Sequence, residues 1–397
     1  MLTILRFLTA GESHGPRLTG VLEGLPAGLT VDRGRVDEDL ARRQRGSGSG
    51  GRMDIERDRV RITAGVMAGL TTGAPVALEI ENLDWENWRD RDVDPMVTPR
   101  PGHADLTGAI KYGYPDLRPA LERASARETA MRVAVGGICR QVLGAFGIVV
   151  GGYTLRIGGV EAALPSDPGP DEYRRRFETA RRSDVCCPEL DAAARMQAAI
   201  DLAEKQGDTL GGIIEVAALG VPAGLGSHVH WDRRLDARLA MALVSIQAMK
   251  GVQIGPAFTN AALSGTGVHD EIFLEEGRLE RRTNRAGGLE GGITNGEPVV
   301  VQAAMKPIST TRIARASVDL AAGVASRPSY ERSDVCAVPR AVVVCEAMAS
   351  IVLADALLLK LGGDSLEEMR PRFEALRAGR LDDLSMDAKP WRPACDD

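Results

Sequence analysis

Gly24-Leu-Pro-Ala-Gly-Leu29 returns as Gly220-Val-Pro-Ala-Gly-Leu225, and each copy precedes a stretch of helical apolar spacing with Leu-Ala on its apolar face. A second echo lies further along: Thr72-Gly-Ala-Pro-Val76 is answered by Asn295-Gly-Glu-Pro-Val299. Around both pairs the same order is visited: strand, turn, helix, strand, Gly-Pro turn, strand. The pattern reads as a duplicated α+β unit, although two short matches in a chain with 45 glycines can also arise by chance. No Pro/Ser-rich linker divides the halves. Residues 1–397 are therefore expected to form a single domain, with a core over about 1–365 and a charged peripheral segment over about 366–397.

Outward from these repeats, alternation predicts strands over 3–9, 18–24, 59–66 and 74–81, and another over 210–221. A basic helical stretch runs from Asp37 to Arg45. Ser125-Ala-Arg-Glu128 reads as a capping box opening a helix to about Gly144. Residues 232–250 read as an amphipathic helix with Leu235, Leu239, Leu243 and Ile246 on one face and Gly251 at its end. From Pro339 to about Leu361 the chain is apolar nearly all round, so a buried helix is expected there, stopped by Gly362-Gly363.

Composition narrows the function. A net charge of −6 excludes a general nucleic-acid or anionic-membrane binder by bulk electrostatics. The 44% hydrophobic content excludes a mainly disordered chain, and 4% aromatics leave the core to Ala, Val, Leu and Ile. Six cysteines without a Cys-x-x-Cys pair argue against a disulfide or zinc framework and for a reduced, cytoplasmic setting. The apolar N-terminal run meets Glu12 and His14 at once, unlike a secretion signal, and no unbroken apolar run is expected to span a bilayer. His228-x-His230 has no carboxylate cluster beside it, so no metal is expected.

Reactive residues gather beside glycines at five places. Gly11-Glu-Ser-His-Gly15 puts a histidine at a strand end, with its ring expected in the open; a plain turn with a surface histidine reads equally from these five residues. Arg42-Arg-Gln-Arg-Gly-Ser-Gly-Ser-Gly-Gly-Arg-Met53 can fold guanidinium forks onto phosphate or carboxylate, or be a solvated loop. It spells G-x-G-x-x-G after a helix rather than a strand, which does not support a dinucleotide fold. Arg100-Pro-Gly-His-Ala-Asp105 with Arg123-Ala-Ser-Ala-Arg-Glu-Thr129 suggests an anion site at a helix N-terminus. Asn284 to Gly296, followed by Lys306-Pro-Ile-Ser-Thr-Thr311, suggests backbone laid against a flat cofactor, with β-hairpin turns as the plain alternative. Asp334, in Arg332-Ser-Asp-Val-Cys336, is a candidate base if apolar neighbours hold it and otherwise a helix-flanking residue. Together these describe a site for a small polyanion plus a flat cofactor.

In this order the motifs resemble those of the chorismate synthase family over residues 5 to about 365, together with Lys111-Tyr-Gly113, Gly207-Asp-Thr-Leu-Gly-Gly212 and Asn284-Arg-Ala-Gly-Gly-Leu-Glu-Gly-Gly292. The resemblance implies an α+β fold, a helical layer between antiparallel sheets with an internal pseudo-twofold, assembled as a homotetramer. It implies a lyase that converts 5-enolpyruvylshikimate-3-phosphate to chorismate and phosphate by 1,4-anti elimination. Reduced FMN lends electron density and is regenerated, with no net redox change. It implies that His14 protonates the departing phosphate, that His103 keeps the reduced flavin in its working protonation state, and that Asp334 helps remove the ring proton. The flavin positions implied are Arg123, Ala124, Ser125, Gln247, Ala248, Gly291, Lys306, Pro307, Ile308, Ser309, Thr310 and Arg332. Arg43, Arg52 and Arg127 match arginines that grip substrate anions, Arg43 being linked also with NADPH.

One departure stands out. Relatives commonly carry Gly-Tyr-Gly-Arg where this chain has Gly46-Ser-Gly-Ser49, so Ser49 replaces an expected anion-contacting arginine. Unless Arg45 reaches in, the loss is worth roughly 1.5–3 kcal/mol of binding, and Ser49→Arg is expected to lower the substrate KM. The loop between Glu81 and Pro99 also looks shorter than in some relatives. No appended reductase domain is visible, so a separate flavin reductase is expected. One rival reading is a non-catalytic flavin- or polyanion-binding homologue, which a His14→Ala assay separates because a binder has no turnover to lose. Another is a flavin oxidoreductase, against which the missing dinucleotide fingerprint speaks.

Overall fold

The computed structural model describes residues 2–48, 57–328 and 334–390. Strands β1 (Arg6–Ala10), β2 (Arg17–Glu23), β3 (Val60–Ala64) and β4 (Val76–Glu81) form an antiparallel sheet in the order β1-β2-β4-β3. Strands β5 (Val149–Ile157), β6 (Gly212–Leu219), β7 (Met249–Ile254) and β8 (Val299–Met305) form a second in the order β5-β6-β8-β7, with Val160–Glu161 added at the β5 edge. The same connectivity is thus built twice. Alternation sets the faces: Leu18 and Leu22 on β2, and Val76, Leu78 and Ile80 on β4, all point into the core.

The repeated hexapeptides do equivalent work, which removes chance as their explanation. Thr71 Oγ1 donates to Pro26 O (2.6 Å) and accepts from Leu29 N (2.9 Å). Thr294 Oγ1 donates to Pro222 O (2.6 Å) and accepts from Leu225 N (2.8 Å). Each threonine closes a two-residue hairpin, Val66–Met67 with Leu70–Thr71 and Leu289–Glu290 with Ile293–Thr294. Both turns place two residues at positive φ, Ala68 (49°) and Gly69 (80°) in one, Gly291 (59°) and Gly292 (83°) in the other. That is the turn whose twist suits a tight hairpin.

Four helices fill the space between the sheets: α1 (Arg33–Gln44), α2 (Thr129–Gly144), α3 (Leu235–Val244) and α4 (Val338–Leu361). The central pair, α2 and α4, approach so closely at Gly136 that an added Cβ would lie 2.4 Å from Ala347 Cβ. Contrary to expectation, α4 is long and apolar enough to cross a membrane, with a mean hydropathy of 2.2, but 94% of that window is buried in the protein. Its carboxylates hold the layer together. Glu346 accepts from Arg42 (2.8 and 3.0 Å), Arg140 (2.8 Å) and Gly152 N (2.8 Å). Burial opposes its charge, but the arginines prevail and hold its carboxyl at about 2. Asp355 accepts from Arg238 on α3 and from the N–H groups of Thr3 (3.0 Å), Ile4 (2.7 Å) and Leu5 (2.7 Å).

Three readings need correction. The helix expected over 232–250 ends at Val244, and 249–254 is β7. Its four apolar residues are all buried, but Ala248 adopts φ 67° and turns the chain into the strand. Ser125 caps Arg127 N (3.3 Å), yet Glu128 does not complete a box. Its carboxylate instead accepts from Thr9 (2.7 Å), Arg132 (2.9 Å) and Gln247 (3.3 Å). The segment after Asp364 is partly built in, since the helix Leu366–Glu374 buries Leu366 and Met369. The helix Pro170–Arg182 covers the outer face of the second sheet, packing Tyr173 and Phe177 near Tyr153, whereas the first sheet leaves Leu8 and Val21 exposed.

Candidate active site

A cleft of about 1030 Å³ opens at the N-terminal ends of α2 and α4. Among the described residues its walls carry Arg43, Arg91, Arg100, Arg118, Arg127, Lys250, Lys306 and Arg340 against Asp84 and Asp334, a positive lining in a chain of net charge −6. Low-dielectric walls lined by one sign of charge concentrate ligands of the other.

His14 sits in the turn between β1 and β2. Its Nδ1–H donates to Glu122 Oε1 (2.7 Å), and its backbone N–H donates to Glu122 Oε2 (2.8 Å). Burial works against the Glu122 charge, but the bond and charge of His14 hold the carboxyl below the usual range. Trp88 lies on the imidazole with ring centroids 4.1 Å apart, steadied by its Nε1–H to Asp84 (3.0 Å). The ring is therefore sheltered rather than in the open, with 17% of the side chain exposed.

His103 is backed in the same way. Its Nδ1 lies 2.5 Å from Asp105 Oδ1 and 3.0 Å from Arg100 Nη2. Guanidinium donates and carboxylate accepts, so the Nδ1 proton belongs to Asp105. Arg100 in turn gives its backbone N–H (3.0 Å) and Nε–H (2.8 Å) to Asp105 Oδ2. Burial opposes the Asp105 charge, yet the hydrogen bonds from His103 and Arg100 outweigh it and hold the carboxyl well below its usual range. At both histidines Nδ1 is the nitrogen that bonds a carboxylate.

Arg43 and Arg127 share the buried Asp58, at 3.4 and 2.6 Å, and Arg43 is further set by Thr129 (3.0 Å) and Ala126 O (2.9 Å). Lys306, at the end of β8, donates to Gly102 O (2.7 Å) and so ties the His103 loop to the opposite wall. Burial and the neighbouring Lys250 both push its ammonium pKa down. Asp334 flanks α4, the second of its two sequence readings, and also lies on the cleft wall. Its Oδ1 pairs with Arg340 Nη2 at 2.6 Å, in the first turn of α4.

The cleft thus unites His14, His103, Asp334, Arg43, Arg127, Ala124, Ser125, Gln247, Ala248, Lys306, Ile308, Ser309 and Thr310. Pro307, between two of these, is not on its wall. Arg123 turns away to the carbonyls of Thr9 (2.8 Å) and Gly11 (3.3 Å). Gly291 lies in the turn of the second-half hairpin and is not on the cleft wall. Ser49, Arg52 and Arg332 lie outside the described residues. Sequence reasoning missed Glu122, Trp88, Arg118, Lys250 and Arg340. It quoted Asp105 within a motif without a role, though an acid two residues after a histidine was the available signal.

A family model described as chorismate synthase matches residues 5–358. The chain is 54% identical to chorismate synthase of Desulforudis audaxviator (strain MP104C) over 391 residues, covering 95% of this chain and 99% of that protein. It is 52% identical to chorismate synthase of Trichlorobacter lovleyi (strain ATCC BAA-1151 / DSM 17278 / SZ), covering 95% and 100%. A crystal structure of chorismate synthase superposes with a TM-score of 0.78 at 45% identity, covering 94% of this chain and 97% of that one. The duplicated sheets around a helical layer and the match along nearly the whole chain agree, and the chain belongs to the chorismate synthase family of lyases.

Proposed function

We propose that this cleft eliminates phosphate from 5-enolpyruvylshikimate-3-phosphate to give chorismate, a step toward the aromatic amino acids. The carrying observation is that two carboxylate-backed histidines and Asp334 converge on a cleft whose described walls carry eight cations and two acids. A substrate with two carboxylates and a phosphate needs several guanidinium forks, and Arg43 and Arg127 are set side by side on Asp58 to supply them.

In the 1,4-elimination a ring C–H bond gives up its proton and its electrons form a new double bond, the ring's existing double bond shifts to the carbon that bore the phosphate, and the C–O bonding pair leaves with the phosphate. With Nδ1–H committed to Glu122, a proton on His14 Nε2 is the one that passes to the departing phosphate. Asp334, anchored through Oδ1 on Arg340, stands in the wall to receive the ring proton. His103 keeps its Nε2 for a proton held against the cofactor.

The residues also fit reduced FMN. Gln247 Oε1 is buried and without a partner among the described residues. The paired ammonium groups of Lys306 and Lys250, with Ser309 and Thr310 beside them, suit a phosphate. Reduced flavin, when bound, supplies electron density to the substrate and takes it back. NADPH and a separate reductase are the proposed source of that reduction. A homotetramer fits the exposed Leu8 and Val21 on the uncovered face of the first sheet. A cytoplasmic setting fits the free thiols of Cys139, Cys186, Cys187, Cys336 and Cys345.

The test is anaerobic phosphate release from the substrate with reduced and with oxidised FMN. Chorismate and phosphate formed in equal amounts, and only with reduced FMN, is the expected result. Binding of both ligands without release would turn the reading to a non-catalytic binder.

A further inference from the structure

His14 is not fastened by Glu122 alone. Asn82, buried just after β4, donates from Nδ2 to the carbonyls of Gly15 (2.7 Å) and Ser13 (3.3 Å), one on each side of the histidine. Its backbone N–H donates to Pro16 O (3.0 Å). The same side chain caps the short helix Leu83–Asn87, its Oδ1 accepting from Asp84 N (3.2 Å). Trp88 follows that helix, and Arg91 N donates back to Trp88 O (3.1 Å), which brings the Arg91 guanidinium carbon to 5.4 Å from the indole centroid. Asn82 thus ties the segment that carries Trp88 and Arg91 to the turn that carries His14.

Arg91 differs from its neighbours on the cleft wall. Arg43, Arg100, Arg127 and Arg340 each have a carboxylate at 3.4 Å or nearer, and Lys306 is tied to Gly102 O (2.7 Å). Arg91 is exposed on the wall and, among the described residues, makes neither an ion pair nor a side-chain hydrogen bond. Asp90, next to it in the chain, pairs instead with Arg89 (3.2 Å). A cation over an aromatic face is held by the ring quadrupole, which positions it without using its N–H groups. The fork is therefore placed by the indole and left to bond a ligand.

Resting on the substrate reading above, we propose that Arg91 is an oxyanion-binding residue that holds the departing phosphate of the substrate beside His14. The phosphate is assigned because the group that protonates it on that reading, His14, lies against the same indole, with centroids 4.1 Å apart. Charge-assisted bonds of about 2.8 Å on either side of one phosphate are long enough to bridge the two groups. The C–O bonding pair leaves with the phosphate, so its charge rises as the bond breaks. A guanidinium beside it then favours the transition state over the bound substrate. The proton passes from His14 to the phosphate, and Arg91 keeps its own because its pKa lies far above that of any phosphate.

The test compares wild type with Arg91→Met, which keeps the apolar stem, Arg91→Lys and Arg89→Met. Arg89 is the control: it is paired with Glu86 and Asp90 (both 3.2 Å) and is off the cleft wall, so its removal changes net charge equally without reaching the ligand. Binding of inorganic phosphate is followed by phosphorus NMR on enzyme saturated with oxidised FMN, so that the flavin phosphate fills its own place. Steady-state constants are measured with enolpyruvylshikimate phosphate and reduced FMN. Arg91→Met should raise the phosphate Kd by about 5- to 20-fold, a modest value for a charge-assisted bond because solvent and salt screen an open site. It should lower kcat by about tenfold with KM changed less, as befits charge that forms in the transition state. Arg91→Lys should recover part of both losses, since lysine supplies the charge without the fork. Arg89→Met should shift each constant by less than about twofold.

Equal shifts in Arg89→Met and Arg91→Met would leave only a general positive field and overturn the proposal. So would an unchanged phosphate Kd in a folded Arg91→Met; a raised KM beside it would give the arginine to a substrate carboxylate instead. Should the wild type release no phosphate, the substrate reading fails, but the NMR comparison still decides whether Arg91 holds a phosphate.

Discussion

His14 and His103 both give an Nδ1–H to a carboxylate, but the two carboxylates sit in unlike surroundings. Asp105 is fully buried and takes three further hydrogen bonds from Arg100. Glu122 keeps 12% of its side chain exposed, and its nearest other charge is Arg118 at 4.0 Å. One carboxylate is part of the fold and the other serves the loop of one histidine. The same device thus carries different risks, and substitution should separate them.

The largest effect is expected at Asp105. Asp105→Ala leaves Arg100, itself 8% exposed, with an uncompensated buried charge, at a cost of about 3–5 kcal/mol. Thermal unfolding should show that loss together with the loss of turnover. Acid should sharpen the contrast. A carboxyl whose folded pKa is depressed stabilises the protein above its unfolded value, about 3.9 for Asp, and that stability is lost as pH falls through the folded pKa. The wild type should therefore be flat above about pH 5 and weaken below about pH 4, and Asp105→Asn should lack part of that slope. An acid limb identical to wild type would mean that Asp105 is not the ionised anchor described.

Glu122→Gln should cost less in stability, about 1 kcal/mol or below, yet lower kcat by about 10- to 100-fold, because a carboxamide can accept through its oxygen but does not fix the tautomer as a carboxylate does. A stability loss as large as that of Asp105→Ala would erase the distinction between the two dyads. An unchanged kcat would remove Glu122 from the account of His14.

How much of this was readable in advance follows from the range of the interactions. The helix α4 was legible to within a residue or so because it is apolar all round and bounded by Pro339 and Gly362. The duplication was legible because the turn chemistry of its hexapeptides recurs in local sequence. The end of α3 was not, since Ile246 continues the apolar face past the true stop and Ala248 gives no sign of its positive φ. His14 and His103 stood out beside glycines, but Glu122 lies 108 residues from His14. Arg340 was hidden for another reason: within α4 it reads as one polar residue in an apolar run, and the fold of the turn before the helix brings Asp334 to it.

Trp88 offers the finest test of the comparison, because His103 has no aromatic neighbour among the ring contacts of the described residues. The indole shelters His14 from water on one side, and Arg91 lies 5.4 Å from the indole centroid. Trp88→Leu keeps apolar bulk while removing the ring face, so the Glu122 bond should survive and kcat should fall only severalfold, in keeping with an aromatic contact worth about 0.5–1.5 kcal/mol. The informative reading is the double variant Trp88→Leu/Glu122→Gln. If ring and carboxylate orient the same imidazole, the two losses should be less than additive in log kcat, since the second removes restraint from a ring already loosened. Strict additivity would show that Trp88 acts on the substrate side of the cleft instead, and the asymmetry between the histidines would then rest on their carboxylates alone.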